Sequence, residues 1–319
     1  MKHGTILKGA TLAGVLAVSG PALAQDDATR TIGVAIPSAT HGFMGGLNFH
    51  ARETIDRLSD EHDNVEFVLA TAGDATDMVN DVEDMVATRD IDALVVLPFE
   101  SEPLTSPVQA VAEKGIWVTV VDRGLAQEGI EDLYVSGDNE SFGRIAGNYF
   151  AENLSESDNI VVLRGIPTTI DNQRVEAFEE AIAGSGINVL DMQHGNWNRD
   201  DSFTVMQDFL SRYDDIDAVW ASDDDMAIGV MAAIEQAGRT EEMWVMGGAG
   251  MKQIVRRIME GDPQLPANVS YPPDQISSAI ELTTTGMTTN VPVRGEFIIG
   301  SQLITPENAE KFYFPDSPY

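Results

Sequence analysis

Two carboxylates and two guanidinium groups stand where apolar runs give way to polar ones, and they have the most chemistry to offer. Asp122 and Arg123 end the run Trp117 to Val121 as VVDRG. Both therefore belong at the carboxyl edge of a predicted buried strand, where open α/β sheets hold ligands. Asp223 opens the triplet Asp223-Asp224-Asp225 behind another short strand. Three carboxylates in a row suggest calcium, but the alternating oxygen ligands and the glycine of an EF-hand are missing. The pattern predicts instead that Asp223 points into a site, Asp224 caps the following helix and Asp225 faces solvent. Arg174 is placed at a helix start, with Asp171, Asn172 and Gln173 as caps and Phe178 toward the core. Plainer alternatives stand beside these: a solvated turn pair for Asp122 and Arg123, and a helix-surface charge for Arg174.

Paired carboxylates such as Asp122 and Asp223 occur in glycosidases, so catalysis needs weighing. The chain has no nucleophile elbow, phosphate loop or zinc spacing, and Gly247-Gly248-Ala249-Gly250 lacks both a phosphate-binding lysine and the dinucleotide fingerprint. Cysteine is absent, which removes disulfides, thiolate metal sites and cysteine nucleophiles together. No enzyme, cofactor or metal site is expected.

The chain carries 52 acidic against 19 basic residues, a formal net charge of -33. Such acidity opposes nucleic acid or anionic lipid as a partner, and no basic helix-turn-helix is visible. An Asp-rich, Lys-poor surface suits a protein kept soluble in brine, where salt screens self-repulsion, so a salt-loving source is expected. Residues 1–24 have Lys2 and Lys8, an apolar run from Ala10 to Val18, and Ala22-Leu23-Ala24 before Gln25, the parts of a secretory signal peptide cleaved after Ala24. The run is about half the ~20 apolar residues a membrane anchor requires. Losing the two lysines takes the net charge from -33 to -35.

Behind the signal, Thr31 to Gly46 reads as a buried strand, a loop and a helix start. Short apolar runs then alternate with amphipathic segments, the pattern of a parallel, doubly wound α/β arrangement. Strands buried on both faces are predicted at 31–37, 65–71, 93–99, 117–122 and 133–135. A second series follows at 160–163, 189–193, 218–221, 244–246 and 267–271. Helical periodicity marks 47–58, 78–88 and 275–285. Asp90-Ile91-Asp92-Ala93 is echoed by Asp215-Ile216-Asp217-Ala218, a weak hint of two related halves. A last run, Phe297 to Ile304, is too small for a third domain; its natural place is back against the first lobe, giving several chain crossings and a multi-strand hinge.

Several ordered stretches carry a family resemblance: Thr40-His41-Gly42-Phe43-Met44, Val121-Asp122-Arg123, Gly137-Asp138-Asn139 and Gln173 to Phe178. Asn196-Trp197, Ala221 to Ala227 and Pro273-Asp274-Gln275-Ile276 continue the series. Together they resemble the type I periplasmic binding proteins that deliver monosaccharides to ABC importers, with the ribose-binding branch nearest. The resemblance implies two doubly wound parallel-sheet lobes joined by a multi-strand hinge, with residues 31–139 plus 272–299 in one lobe and 140–271 plus 300–319 in the other. It implies a periplasmic monomer that captures a neutral monosaccharide or sugar alcohol and hands it to an ABC permease and its ATPase. The alternative is a periplasmic sensor module serving a chemoreceptor or histidine kinase.

A sugar presents hydroxyls around its edge and C–H patches on its faces, so its cleft needs bidentate polar groups in the plane and aromatic plates above and below. By the resemblance, Phe43 and Trp197 are the plates, while Asp122, Arg123, Arg174 and Asp223 grip hydroxyls, the guanidiniums donating in a fork. Helix stapling by Phe43 and a surface plug at Trp197 are the alternatives. His41 and Tyr271 stand where the ribose-binding branch uses amides, and Met44 belongs to the same loop as His41. One position departs from the pattern: Ala249 replaces an aspartate that would bridge two hydroxyls. That departure puts ribose in doubt and leaves other pentoses, hexoses, deoxy sugars and linear polyols open.

Overall fold

The computed structural model describes Met1 and residues 28–39, 41–289, 291–315 and 317–319. The expected signal segment, Met1 apart, and Thr40 of the site loop lie outside these residues. A first series of elements runs β1 (Arg30–Pro37), α1 (Gly42–Glu61), β2 (Val65–Ala72), α2 (Ala75–Thr88), β3 (Ala93–Val96), α3 (Ser101–Glu113), β4 (Trp117–Val121) and β5 (Leu133–Gly137). After α4 (Asn139–Asn153), a second series runs β6 (Asn159–Arg164), α5 (Thr169–Ile182), β7 (Asn188–His194), α6 (Arg199–Arg212), β8 (Ala218–Ala221), α7 (Asp224–Ala237), β9 (Trp244–Met246) and α8 (Lys252–Met259). The chain then forms β10 (Asn268–Val269), α9 (Gln275–Thr289), β11 (Gly295–Ile299) and β12 (Leu303–Ile304).

Two parallel sheets result. One has the order β11-β5-β4-β3-β1-β2 and the other β7-β6-β8-β9, while β10 and β12 form a small antiparallel pair. In the larger sheet, Ile32, Val34 and Ile36 face a core shared with Leu47, Ala51, Ile276 and Ile280 of α1 and α9. Alternate residues of the sheet, among them Ala35, Leu94, Val96 and Val120, face Met78, Val82, Leu104 and Val108 of α2 and α3. Both faces are covered, as a parallel sheet requires.

The repeated tetrapeptide has the same job in each half. Asp92 accepts from the Thr31 backbone N–H at 2.9 Å, tying the start of β1 to β3. Asp217 accepts from that of Asn159 at 2.7 Å, tying β6 to β8. The isoleucine beside each aspartate, Ile91 and Ile216, is buried.

Two expectations need correction. The edge strands β2 and β7 are not buried on both faces, as the runs 65–71 and 189–193 were expected to be. The run 297–304 does not lie wholly back against the first lobe either. It divides around Gly300, because the chain there leaves the larger sheet, where β11 joins β5, for the small antiparallel pair, where β12 joins β10. The chain passes from the larger sheet to the smaller between β5 and β6, returns to the larger by way of β10 before β11, and leaves it again for the β10-β12 pair.

Candidate ligand-binding site

Loops and helix starts following the carboxyl ends of β1, β4, β6, β7, β8, β9 and β10 meet around one cavity with about 310 Å³ of empty space. His41, Phe43, Met44, Asp122, Arg123, Arg174, Trp197, Asp223 and Tyr271 all line it, together with Ile170 and Ala249.

From the first sheet, His41 precedes α1 with extended backbone and gives the helix no side-chain cap. Burial, and then the Arg123 guanidinium, hold its imidazole down to about 4, so the ring is neutral at physiological pH. Its Nδ1 is buried without a partner among the described residues. The Phe43 ring lies near-parallel to His41 at 6.5 Å and 5.9 Å from Tyr271. Asp122 takes up the left-handed region at φ 61°, which aspartate tolerates. Its side chain accepts from the Tyr271 hydroxyl at 2.5 Å and from Gln275 Nε2 at 3.1 Å. Arg123 donates to the Phe99 carbonyl at 2.6 Å, and its Nε has no partner among the described residues. Both residues are buried, so the solvated-turn alternative fails.

From the second sheet, α5 begins with Thr168, whose hydroxyl caps Asp171 N–H, rather than with Asp171 to Gln173. Asp171 is instead buried against Arg164 at 2.7 Å. The helix thus starts earlier than expected, and Arg174 lies within its second turn. That arginine donates to Asn139 Oδ1 at 2.8 Å and to the Ser222 carbonyl at 3.1 Å. Its guanidinium sits 4.3 Å from the Phe142 ring centroid and 4.4 Å from that of Tyr271, a cation–π setting. A Cβ on Gly143 of α4 would come within 1.9 Å of the Arg174 carbonyl oxygen, so only glycine lets α4 and α5 lie this close. Trp197 follows Asn196 in a left-handed pair, φ 56° and 49°. Its indole occupies the space a side chain on Gly165 would take, and Nε1 is unpartnered among the described residues. Arg123, from the other half, stands 5.3 Å from the Trp197 ring centroid.

The acidic triplet divides its work differently from the expectation. Asp223 lines the cavity and also caps α7, accepting from Met226 N–H at 3.1 Å. Burial, reinforced by Asp225, pushes its carboxyl up to about 7. Asp224 is no cap. It is buried and accepts from the N–H groups of Gly248 at 2.9 Å and Met251 at 2.6 Å and from Asn268 Nδ2 at 2.7 Å, tying the loops after β8 and β9 to β10. Asp225 does not face solvent; it accepts from Gly42 N–H at 2.6 Å and from Arg199 at 2.6 Å. The start of α7 faces the opposite half of the molecule, which the local pattern of a helix cannot reveal. Among the described residues no group of three His, Cys, Asp or Glu is arranged to hold a metal ion.

Two contributors were missed. Ile170 reads in the sequence as an ordinary core residue. Tyr319 meets Phe43 edge-on at 5.8 Å, and Gly42 and Gly46 leave room for it; its hydroxyl is buried and unpartnered among the described residues. Nothing in the segment after β12 signals this contact.

The periplasmic binding protein domain family matches residues 32–285. The chain belongs to that family. Within it, the ribose import binding protein RbsB of Salmonella typhimurium is 30% identical over 270 residues, covering 84% of this chain and 88% of its own length. The xylitol-binding protein of Mycolicibacterium smegmatis is 26% identical over 257 residues, covering 80% and 71%. An ABC transporter solute binding protein from Mycobacterium smegmatis, solved with bound glycerol, superposes with a TM-score of 0.81 at 27% identity, covering 91% of this chain and 98% of its own. The fold is therefore that of the type I periplasmic binding proteins, and the family relationship makes this a sugar-binding protein of the ribose-binding kind.

Proposed function

We propose that the chain captures a neutral monosaccharide or sugar alcohol in the cavity between its two halves and delivers it to an ABC permease and its ATPase. It acts in the periplasm after cleavage behind Ala24, as a monomer, and binds without catalysing a reaction. The lobes divide near Asn139, Tyr271 and Gly300. The observation that carries the reading is the convergence of nine residues from both halves on one small cavity, with His41 Nδ1, Arg123 Nε and Trp197 Nε1 left unpaired among the described residues. Buried polar groups of native proteins are almost always satisfied, and a ring of hydroxyls matches this set of donors and carboxylates. Phe43 and Trp197 stack on the faces of the ring; His41, Asp122, Arg123, Arg174 and Asp223 fix its edge, with Met44 and Tyr271 closing the remaining wall.

Relatives named for ribose and xylitol, and a neighbour solved with glycerol, support this class of ligand. The methyl group of Ala249 lines the cavity where the family pattern has a carboxylate, which favours a ligand lacking one hydroxyl pair on that edge. Titration calorimetry against pentoses, hexoses, deoxy sugars and linear polyols tests the assignment. At least one neutral member should bind, and Arg174→Ala should weaken it a hundredfold or more while the protein stays folded by circular dichroism. Unchanged affinity in that variant would overturn the site.

A further inference from the structure

Helix α1 lacks an N-terminal cap of its own. His41 at the N-cap makes no side-chain hydrogen bond, and the first turn holds no acidic residue, although a 20-residue helix presents unpaired N–H groups and a positive dipole end there. The missing acceptor comes from elsewhere. Asp225 Oδ2, on the first turn of α7 and beside the smaller sheet, accepts from Gly42 N–H at 2.6 Å. The other carboxylate oxygen, Oδ1, is fixed by Arg199 of α6 at 2.6 Å. The aspartate thus belongs to one half of the molecule and the helix end to the other.

We propose that Asp225 is a positioning residue for ligand capture: it caps α1 only when the two lobes close, so closure is held by a charge-assisted bond outside the ligand cavity. Such bonds are about twice as strong as neutral ones, and this one is partly buried, with Asp225 only 4% exposed. Its location couples it to the ligand. Gly42 lies between His41 and Phe43, two lining residues, so forming the cap also sets the aromatic plate over the cavity. Glycine is required at that point, because a Cβ on residue 42 would stand 2.7 Å from Asp225 Oδ2 and 2.7 Å from Met251 Cε. When the lobes part, Asp225 keeps Arg199 and α1 exchanges its cap for water.

The inference rests on the sugar-capture reading, and its test separates the two. Because the chain has no cysteine, Glu53→Cys on α1 and Glu235→Cys on α7 supply a unique pair of spin-label sites for interlobe distance measurement, with and without sugar. Surface plasmon resonance supplies association and dissociation rates. Asp225→Asn should speed sugar dissociation about tenfold with little change in association, and should shift the interlobe distances toward longer values. Gly42→Ala, made from the other side of the contact and benign to an isolated helix, should do the same, and the double variant should add little to either. Wild-type dissociation and distances in Asp225→Asn, or fully additive effects, would overturn the proposal. A wild-type chain that binds no sugar would sink the capture reading, while the distance shift in the sugar-free variants would still decide whether Asp225 holds the lobes closed.

Discussion

Asp223 holds a buried carboxyl group on the cavity wall. Its folded-state value of about 7 stands against an ordinary 3.8, so the folded chain keeps a proton that the unfolded chain gives up between those limits. The stability contributed by this group is present below about 3.8 and is lost as pH rises through 7, a swing on the order of 4 kcal/mol. Asp223→Asn keeps an N-cap acceptor and should melt higher than wild type at pH 8, the gap closing as pH falls toward 4. A gap independent of pH in thermal melts would contradict this. His41, held down to about 4, titrates in the opposite sense, and comparing the variant with wild type cancels it. The nine lining residues named from the sequence were legible chiefly through the order of the motifs that carry the family resemblance. Asp224 and Asp225 were misjudged because their partners, Met251 and Gly42, are remote in sequence. Tyr319 and Ile170 were missed because an aromatic or aliphatic side chain near a cavity has the same sequence pattern as one in a core.

The pairing of α4 with α5 is the element-scale device that places Arg174. Gly143 and Gly147 lie against the backbone of Arg174 and Phe178, where a Cβ would come within 1.9 Å and 2.7 Å of their carbonyl oxygens. Gly143→Ala must therefore push the helices apart, with an overpacking cost of about 1–3 kcal/mol, and must move the arginine that crosses to Asn139. Urea unfolding should show the lost stability and calorimetry a weakened sugar affinity. Gly45→Ala on α1, with open space around it, should show neither loss. At this scale the strand and helix order was largely legible, since β1, β2, β8 and β9 coincide closely with apolar runs. The division of 297–304 was not, because apolar character does not say which sheet a strand joins. The exposure of the edge strands was missed for a related reason: β2 and β7 have neighbours on one side only.

For the whole molecule, the charge balance dominates. With 52 acidic residues against 19 basic ones, the folded chain concentrates like charge that the unfolded chain spreads out, and salt relieves this by shortening the Debye length from about 10 Å at 0.1 M to about 3 Å at 1 M. We propose adaptation to a saline setting, and the melting temperature should climb by several degrees between low and molar sodium chloride; a melt insensitive to salt would remove the idea. The two-lobed plan was foreshadowed by the tetrapeptide echo, whose aspartates hold matching strands in both sheets, while the closeness of the lobes at Gly42 and Asp225 was not, being a contact between surfaces rather than within a core. The seat of Trp197 has an optical consequence. Of the four tryptophans, Trp117, Trp220 and Trp244 lie within strands, whereas Trp197 lies beside the Arg123 guanidinium and faces the cavity. If the cavity takes up sugar as proposed, one indole in four should change its surroundings while three keep theirs, giving an intrinsic fluorescence gauge of occupancy that a sugar titration would read.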